Sequence, residues 1–474
     1  MFYKNILFTC CLVLSFFSKA QTKWSLRSCI DYAVKNNISI KEADVQKRLA
    51  ELDLLQNKAS FWPSLSFSGS SGYRFGLSEN PTTGILQSNS FFSTGFSLTA
   101  NVTLFNWFSK RHTLRAVQAA ADAEKQAAKK AENDVVLNVS AAYLQVLLAA
   151  EMKASALLQL KQTLAQAKAM HKKIRMGVLS ELDAAQMQLQ LMTDSTSLLE
   201  RQQAEAKALL QLKAVLNLNA DLQMELETVD VANDGVDQLI QINAPLLVAS
   251  AIENLPQIRD LQYQINAVKE RTVAAQAVRY PALSLYGSTA SNFVNIPSAQ
   301  SYVFIPQETT GSIVNINGVS YDVMSPSYKV ETIGVTPFFR QLHKNFGQNI
   351  GISISIPIMN GKTFVTNQKR EALSLTRLQL QKEKLQQEIQ TEIYTAFLEA
   401  KAAYRKAGML KSSVEAATKA LHAAQKRYDV NLLSTQDLLL AQTALQKAEI
   451  ELLASQYELT FKIYLLNFYQ VASK

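Results

Sequence analysis

Two hydrophobic periods alternate along the chain, and they do so twice. Between Trp24 and Lys58, Leu26, Cys29, Ile30, Ala33 and Val34 recur at helical spacing, followed by Ile38, Ile40, Val45, Leu49 and Leu52 after a break at Asn37-Ile38. Ala244–Arg279 has the same form, broken at Leu255-Pro256 because the residue before a proline is pushed out of the helical region. A period of two follows. Leu65, Phe67, Tyr73, Phe75 and Leu77 share one parity, and Phe92, Phe96, Leu98, Ala100, Val102 and Leu104 share one on the return. In the second half Ile350, Ile352, Ile354, Ile356 and Ile358 alternate with Gly351, Ser353, Ser355 and Pro357. Strands of this kind put an apolar row on one face and small polar residues on the other. The small residues suit a wet interior and the Ile row suits lipid, although a soluble sandwich strand alternates in the same way. Two strands per half cannot bury an Ile face by themselves, which favours the lipid-facing reading.

Long helices come after the strands. Lys110 to Met176 contains neither Pro nor Gly, enough for a helix of about 100 Å at 1.5 Å per residue. A second helix, Ser180–Asn219, follows the break at Gly177, and Thr363–Val430 with Ser434–Tyr469 repeats the pair. Val135, Val139, Ala142 and Val146, like Leu385, Ile389, Ile393 and Ala396, lie three and four apart in segments rich in Ala, Leu, Gln, Lys and Glu. That is the pattern of coiled-coil packing.

The two halves are related in sequence. Phe61–Ser70 (FWPSLSFSGS) parallels Arg279–Ser288 (RYPALSLYGS), with Pro63, Leu65 and Gly69 each 218 residues before Pro281, Leu283 and Gly287. Asn106, Leu144, Ser180 and Asp183 lie 254 before Asn360, Leu398, Ser434 and Asp437. The step of 36 between these spacings marks an insertion, assigned to a long loop over about 292–349 that carries Pro297, Pro306, Pro326 and Pro337. The expected division is a first repeat over 21–220, an acidic and polar linker over 221–243, and a second repeat over 244–474. The expected class is α+β: a long helical coiled-coil barrel plus four strands per chain. Four strands are too few to close a barrel, so the chain is expected to oligomerise, with eight strands from a dimer or twelve from a trimer.

Composition refines this picture. Met1–Ala20 has Lys4, an apolar run Ile6–Phe17 and Ser18-Lys19-Ala20 before Gln21, the form of a secretory signal. Cys10 and Cys11 stand at the front of that run, whereas a lipid anchor needs its cysteine at the end. Cys29 is then the one mature cysteine, and no internal disulfide can form. No later stretch of 18 residues is uninterruptedly apolar, so no membrane-spanning helix is expected and a membrane passage requires a closed β-barrel. The net charge of +9 comes from Lys and Arg scattered among Glu, Gln and Ala along the helices, as on a solvated face rather than a nucleic-acid surface. His112, His171, His343 and His422 stand singly, without a metal-ligand partner at the usual spacing. No phosphate-cradling glycine loop or nucleophile elbow occurs, so neither an enzyme nor a cofactor is expected.

The doubled order of helix, two strands, long helix and helix after a signal peptide resembles the TolC family of outer-membrane efflux proteins. The strand-to-helix junctions Val102-Thr103-Leu104-Phe105-Asn106-Trp107 and Ile356-Pro357-Ile358-Met359-Asn360-Gly361 resemble the family's pattern. So do the helix turns, Met176-Gly177-Val178-Leu179-Ser180-Glu181-Leu182-Asp183 and Tyr428-Asp429-Val430-Asn431-Leu432-Leu433-Ser434-Thr435-Gln436-Asp437. The resemblance implies a homotrimer with a twelve-stranded barrel in the outer membrane and a helical tunnel in the periplasm. Its function would be an exit duct of a tripartite efflux or type I secretion system. A periplasmic adaptor would dock at the hairpin tips, Gly177, Val178, Leu179 and Ser180 with Asn431, Leu432, Leu433 and Ser434, and an inner-membrane pump of RND, ABC or MFS type would supply the energy. It further implies a periplasmic gate of Asp183, Tyr428 and Asp437. The family's basic latch residue falls at Leu433 and its second acidic pore residue at Leu440, so the entrance is expected to be secured differently. Ser180 and Ser434 also read as helix caps, with Asp183 and Asp437 three residues on. The alternative function is a trimeric coiled-coil surface or adhesive protein, whose helices would form a dry stalk rather than line a lumen.

Overall fold

A computed structural model describes residues 23–79, 86–88, 90–176, 180–228, 242–296, 299–430 and 432–472. The signal segment, Gly177, Val178, Leu179, Asn431 and most of the expected linker lie outside them.

The element order is α1 (Leu26–Asn36), α2 (Ile38–Ala59), β1 (Ser64–Arg74), β2 (Leu77–Glu79), β3 (Leu86–Ser88), β4 (Phe91–Phe105), α3 (Ser109–Arg175) and α4 (Glu181–Val215). There follow α5 (Ala244–Asn254), α6 (Pro256–Ala277), β5 (Ala282–Val294), β6 (Ala299–Ile316), β7 (Val319–Ile333), α7 (Phe338–Lys344), β8 (Gly347–Ser355), α8 (Thr363–Asp429) and α9 (Thr435–Ala472). The breaks at Asn37 and Leu255 fall where the sequence placed them. Asn37 performs two tasks, donating from Nδ2 to Val215 O at 2.8 Å and accepting from Ser39 N on Oδ1 at 2.8 Å. Both strand-to-helix junctions turn through two consecutive left-handed residues, Trp107 and Phe108 in the first and Gly361 and Lys362 in the second. Each junction is closed by its asparagine, whose carbonyl accepts from Ser109 N or Thr363 N.

The chain forms two compact units, one comprising Met1–Leu54, Ala116–Lys269 and Leu373–Lys474, the other Leu55–Arg115 and Glu270–Ala372. Each draws on both sequence halves. The first unit is helical and holds two apolar clusters. One joins Cys29, Ala33, Val135, Val139, Tyr143, Val146, Leu212 and Leu216; the other joins Leu247, Ala251, Leu255, Ile389, Ile393, Ala396, Ala400 and Leu466. Val135, Val139, Val146 and Leu212 of the first occupy positions 254 before Ile389, Ile393, Ala400 and Leu466 of the second. By length and composition a segment within Ser109–Lys172 is apolar enough to cross a membrane, contrary to the expectation that no helix would be. Asn138, Ser140 and Gln145 interrupt the apolar run without adding charge. The same segment supplies Val135, Val139, Tyr143 and Leu147 to the helical core, which accounts for its hydrophobicity.

The second unit contains a four-stranded antiparallel sheet in the order β1-β4-β5-β8, leaving β1 and β8 as edges. The first and second halves meet at β4–β5. The expected loop over about 292–349 is instead mostly ordered structure: a long hairpin, β6–β7, followed by the short helix α7. A small hairpin, β2–β3, takes Leu77 out of the first strand. Strand β8 stops at Ser355, so Ile356 and Ile358 lie beyond it. Pro281 and Pro357 flank that end of the β5–β8 pair and have no N–H to extend the ladder.

Candidate functional site

Register sorts the residues of the four strands onto two faces. One face carries Leu65, Phe67 and Tyr73 of β1, Phe92, Phe96, Leu98 and Val102 of β4, Leu283, Leu285 and Phe293 of β5, and Ile350, Ile352 and Ile354 of β8. Small hydroxyl residues on this face, Ser71, Thr94, Thr289 and Ser291, gather toward the end that bears α7. The Ile row is open, with Ile350 80% exposed. The opposite face is Ser66, Ser68, Ser70, Ser93, Gly95, Ser97, Thr99, Asn101, Ser284, Ser288, Asn349, Gly351 and Ser353. Cross-strand hydroxyl pairs, Ser66 with Thr99 and Ser68 with Ser97, both at 2.7 Å, lie on it. Arg74, Phe91 and Val294 share this face at the end of the sheet bearing α7. Away from that end its one large side chain among the described residues is Tyr286, which covers Gly351 so closely that a Cβ there would stand 2.6 Å from Tyr286 Oη.

Aromatic rings bracket the apolar face. Where the strands lead into helices, Trp107 packs on Tyr280 at 4.8 Å and on Phe105 at 5.6 Å, and Phe61, Trp62 and Phe108 stand exposed nearby in the sequence. Lys110 joins this end, donating to Ser60 O at 2.7 Å and lying 5.8 Å over the Phe61 ring. At the other end Tyr73 meets Phe92 at 5.2 Å, and Phe293 meets Phe338 at 5.0 Å. From Ser64 to Tyr73, β1 rises about 30 Å along the strand, or about 21–25 Å of height at a typical barrel tilt. The sequence reading found the Ile row, and Tyr73 and Phe92 within the strand period, but not the aromatic rows, because Trp107, Tyr280 and Phe338 lie outside the strands and share no period with them.

At the helix tips, Ser180 caps α4 and forms a capping box with Asp183: Asp183 N donates to Ser180 Oγ at 3.3 Å and Ser180 N donates to Asp183 Oδ2 at 3.1 Å. Ser434 is related to Asp437 in the same way, accepting from Asp437 N at 3.1 Å and donating its hydroxyl to Oδ2 at 2.7 Å. A further contact joins the two hairpins. Thr435 Oγ1 donates to Asp183 Oδ1 at 2.7 Å, and Thr435 is 1% exposed. The Ser180 hydroxyl and then the Thr435 hydroxyl hold the Asp183 carboxyl below the usual carboxylate range, against a weaker opposing effect of burial. Tyr428, in the last turn of α8, is half-buried; Leu432 and Asp437 are exposed, and Leu433 is half-buried. Thr435 was passed over in the sequence because a threonine at a helix start is an ordinary cap, and only the fold shows that its hydroxyl is turned to the other hairpin.

Other polar groups of the helical unit are structural. Tyr143 is fully buried and donates to both Trp24 O (3.0 Å) and Glu227 O (2.6 Å), and burial pushes its hydroxyl up to about 12. Burial likewise pushes the Cys29 thiol up to about 12, far from a reactive thiolate. Among the described residues no three His, Cys, Asp or Glu side chains gather as metal ligands.

Residues 29–218 match the family model described as outer membrane efflux protein. That stretch, somewhat less than half of the chain, is similar to outer membrane efflux proteins. The fold as a whole is shared with solved outer-membrane channels. It matches the outer membrane protein VceC of Vibrio cholerae at 15% identity and TM-score 0.72, over 94% of this chain and 95% of that one. The Campylobacter jejuni CmeC outer membrane channel matches at 17% identity and TM-score 0.72, over 94% and 86%. The open state of the Neisseria gonorrhoeae MtrE outer membrane channel matches at 16% identity and TM-score 0.70, over 94% and 88%. At such identities the likeness is one of fold. No curated protein sequence matches the chain.

Proposed function

We propose that this protein is the outer-membrane exit duct of a tripartite efflux or type I secretion system, conducting substrates passively from an inner-membrane pump to the exterior. The observation that carries the proposal is the two-faced sheet: an apolar face of membrane height between aromatic rows, backed by a face of Ser, Gly, Thr and Asn, with both edges unpaired. A wall of this kind excludes water on one side and is wetted on the other. It has no stable place in lipid until its edges are closed, because each unpaired backbone group in hydrocarbon costs several kcal/mol. Three copies would contribute twelve strands and close the ring. The exposed apolar row Val45, Leu49 and Leu52 of α2 supports assembly, since α2 buries none of its own residues. In contrast, Ile265 and Val268 of α6 are packed on Leu378 of α8 within the chain.

The duct would open and close at the hairpin tips. Asp183 and Tyr428 are proposed as its latch, with Thr435 as a second fastening on the same carboxylate. Three copies of Asp437 around a threefold axis would favour cations at the constriction, as rings of carboxylates do in channels. An adaptor would dock at the tips, Gly177 to Ser180 and Asn431 to Ser434, and shift the latch toward its open arrangement. The work of transport would come from the pump, so no residue need perform bond chemistry.

Planar-bilayer recording of the purified protein tests this. The expected result is a small wild-type conductance that increases severalfold in Asp183→Ala/Tyr428→Ala. Silence from both proteins after verified insertion would sink the duct and favour a stalk.

A further inference from the structure

Helix α7 is short, yet it is fastened to the end of β5 by side-chain bonds from both partners. Gln341, almost wholly buried, accepts from Val294 N at 3.0 Å and donates to Val294 O at 2.9 Å. Ser291 Oγ donates to Leu342 O at 2.6 Å, and Asn345 Nδ2 donates to Asn292 O at 2.8 Å. Phe338 packs at a tilt on Phe293, a residue of the apolar face. These contacts fix the rotation of the helix, and the residues left facing outward are Phe339, Arg340, His343 and Lys344, with Phe339 82% exposed. None of the three basic residues bonds to a described residue, and α7 contains no acidic residue.

We propose that α7 is a lipid-headgroup binding element, which seats Phe339 at the acyl boundary and uses Arg340, His343 and Lys344 to hold phosphorylated headgroups of the outer leaflet. Two observations select this occupant. The helix packs on Phe293 of the apolar face, at the end of the sheet opposite the strand-to-helix junctions, where the headgroup layer lies if the sheet spans the membrane. Its charge complements phosphate, and an aromatic beside basic side chains on a fixed short helix is the pattern of interfacial anchoring. The inference rests on the membrane-spanning reading of the sheet and adds to it a preference for headgroup charge.

The test is native mass spectrometry of the detergent-purified assembly, offered phosphatidylglycerol or phosphatidylcholine with the same acyl chains. Wild-type protein is expected to retain phosphatidylglycerol about fivefold or more over phosphatidylcholine. Arg340→Gln/Lys344→Gln should bring the ratio near one, Lys344→Arg should leave it unchanged, and Phe339→Ser should lower retention of both lipids. Equal retention of the two lipids by wild type, or an unchanged ratio in the double variant, overturns the proposal and leaves the duct standing. Loss of the preference in inorganic phosphate but not in sodium chloride of equal ionic strength would make α7 a soluble-anion site and also overturn it. Retention of no lipid at all would remove the membrane reading together with this one.

Discussion

Tyr143, Thr435 and Trp107 each show a side chain chosen for a contact far from it in sequence. The Tyr143 hydroxyl serves the carbonyls of Trp24 and Glu227, closing the parallel bridge between Trp24 and Leu226. Tyr143→Phe should therefore cost about 1 kcal/mol, because Glu227 O loses this donor while Trp24 O keeps the bond from Glu227 N; denaturant melts of variant and wild type measure it. Thr435→Val keeps the shape of the residue and removes the bond to Asp183, whereas Thr435→Ser keeps the bond. If Thr435 fastens the tips, single-channel recording should show a higher open probability in the valine variant and wild-type behaviour in the serine variant. Equal behaviour of all three would refute that role. The Asp183 carboxyl is depressed below its ordinary 3.8, so its contribution is fully present above that value and drains away as the pH falls through the lowered one. The contact is expected to hold from roughly pH 5 to 8 and to fail only in acid below 3.8, visible as an opening of the channel there and not above it. Trp107 sits at a φ of 53°, a left-handed conformation that its counterpart Gly361 adopts without strain. The indole is held there by Phe105 and Tyr280, consistent with a ring kept for the interface despite its backbone.

At the scale of elements, periodicity served where an element repeats one environment and failed where it does not. The long helices and the breaks at Asn37 and Leu255 were legible, because a buried stripe or a proline leaves its mark locally. The β6–β7 hairpin was not. Pro306 and Pro326 read as loop signals, but both lie at the register shift between Ile305 and Glu308, and in a two-stranded ribbon each strand is an edge that tolerates a missing N–H. Helix α7 escaped notice because seven residues hold too few turns to show a period. The polar face offers its own test. Tyr286 is the one bulky side chain along its interior, so in the Asp183→Ala/Tyr428→Ala background, where the tips no longer limit flow, Tyr286→Ala should raise single-channel conductance by about a few tens of percent if that face lines the lumen. An unchanged conductance in that background would argue against a lumen at this face.

For the whole molecule, each half of the chain supplies a pair of long helices and a left-handed strand-to-helix turn. The 254-residue spacing relates buried positions such as Val139 and Ile393 as well as the matching motifs. It could not reveal that the compact units cut across the halves, since β4–β5 pairing and the shared helical unit are long-range contacts with no local trace. The Trp107–Tyr280 and Thr435–Asp183 contacts were hidden for the same reason. Exposed β1 and β8 edges and the bare apolar row of α2 all make the single chain an incomplete object, and the account depends on how many copies complete it. Light scattering of the detergent-purified protein, corrected for bound detergent, measures that number directly. The account predicts the mass of three chains, twelve strands in all; a mass of one chain, or of two, would contradict it.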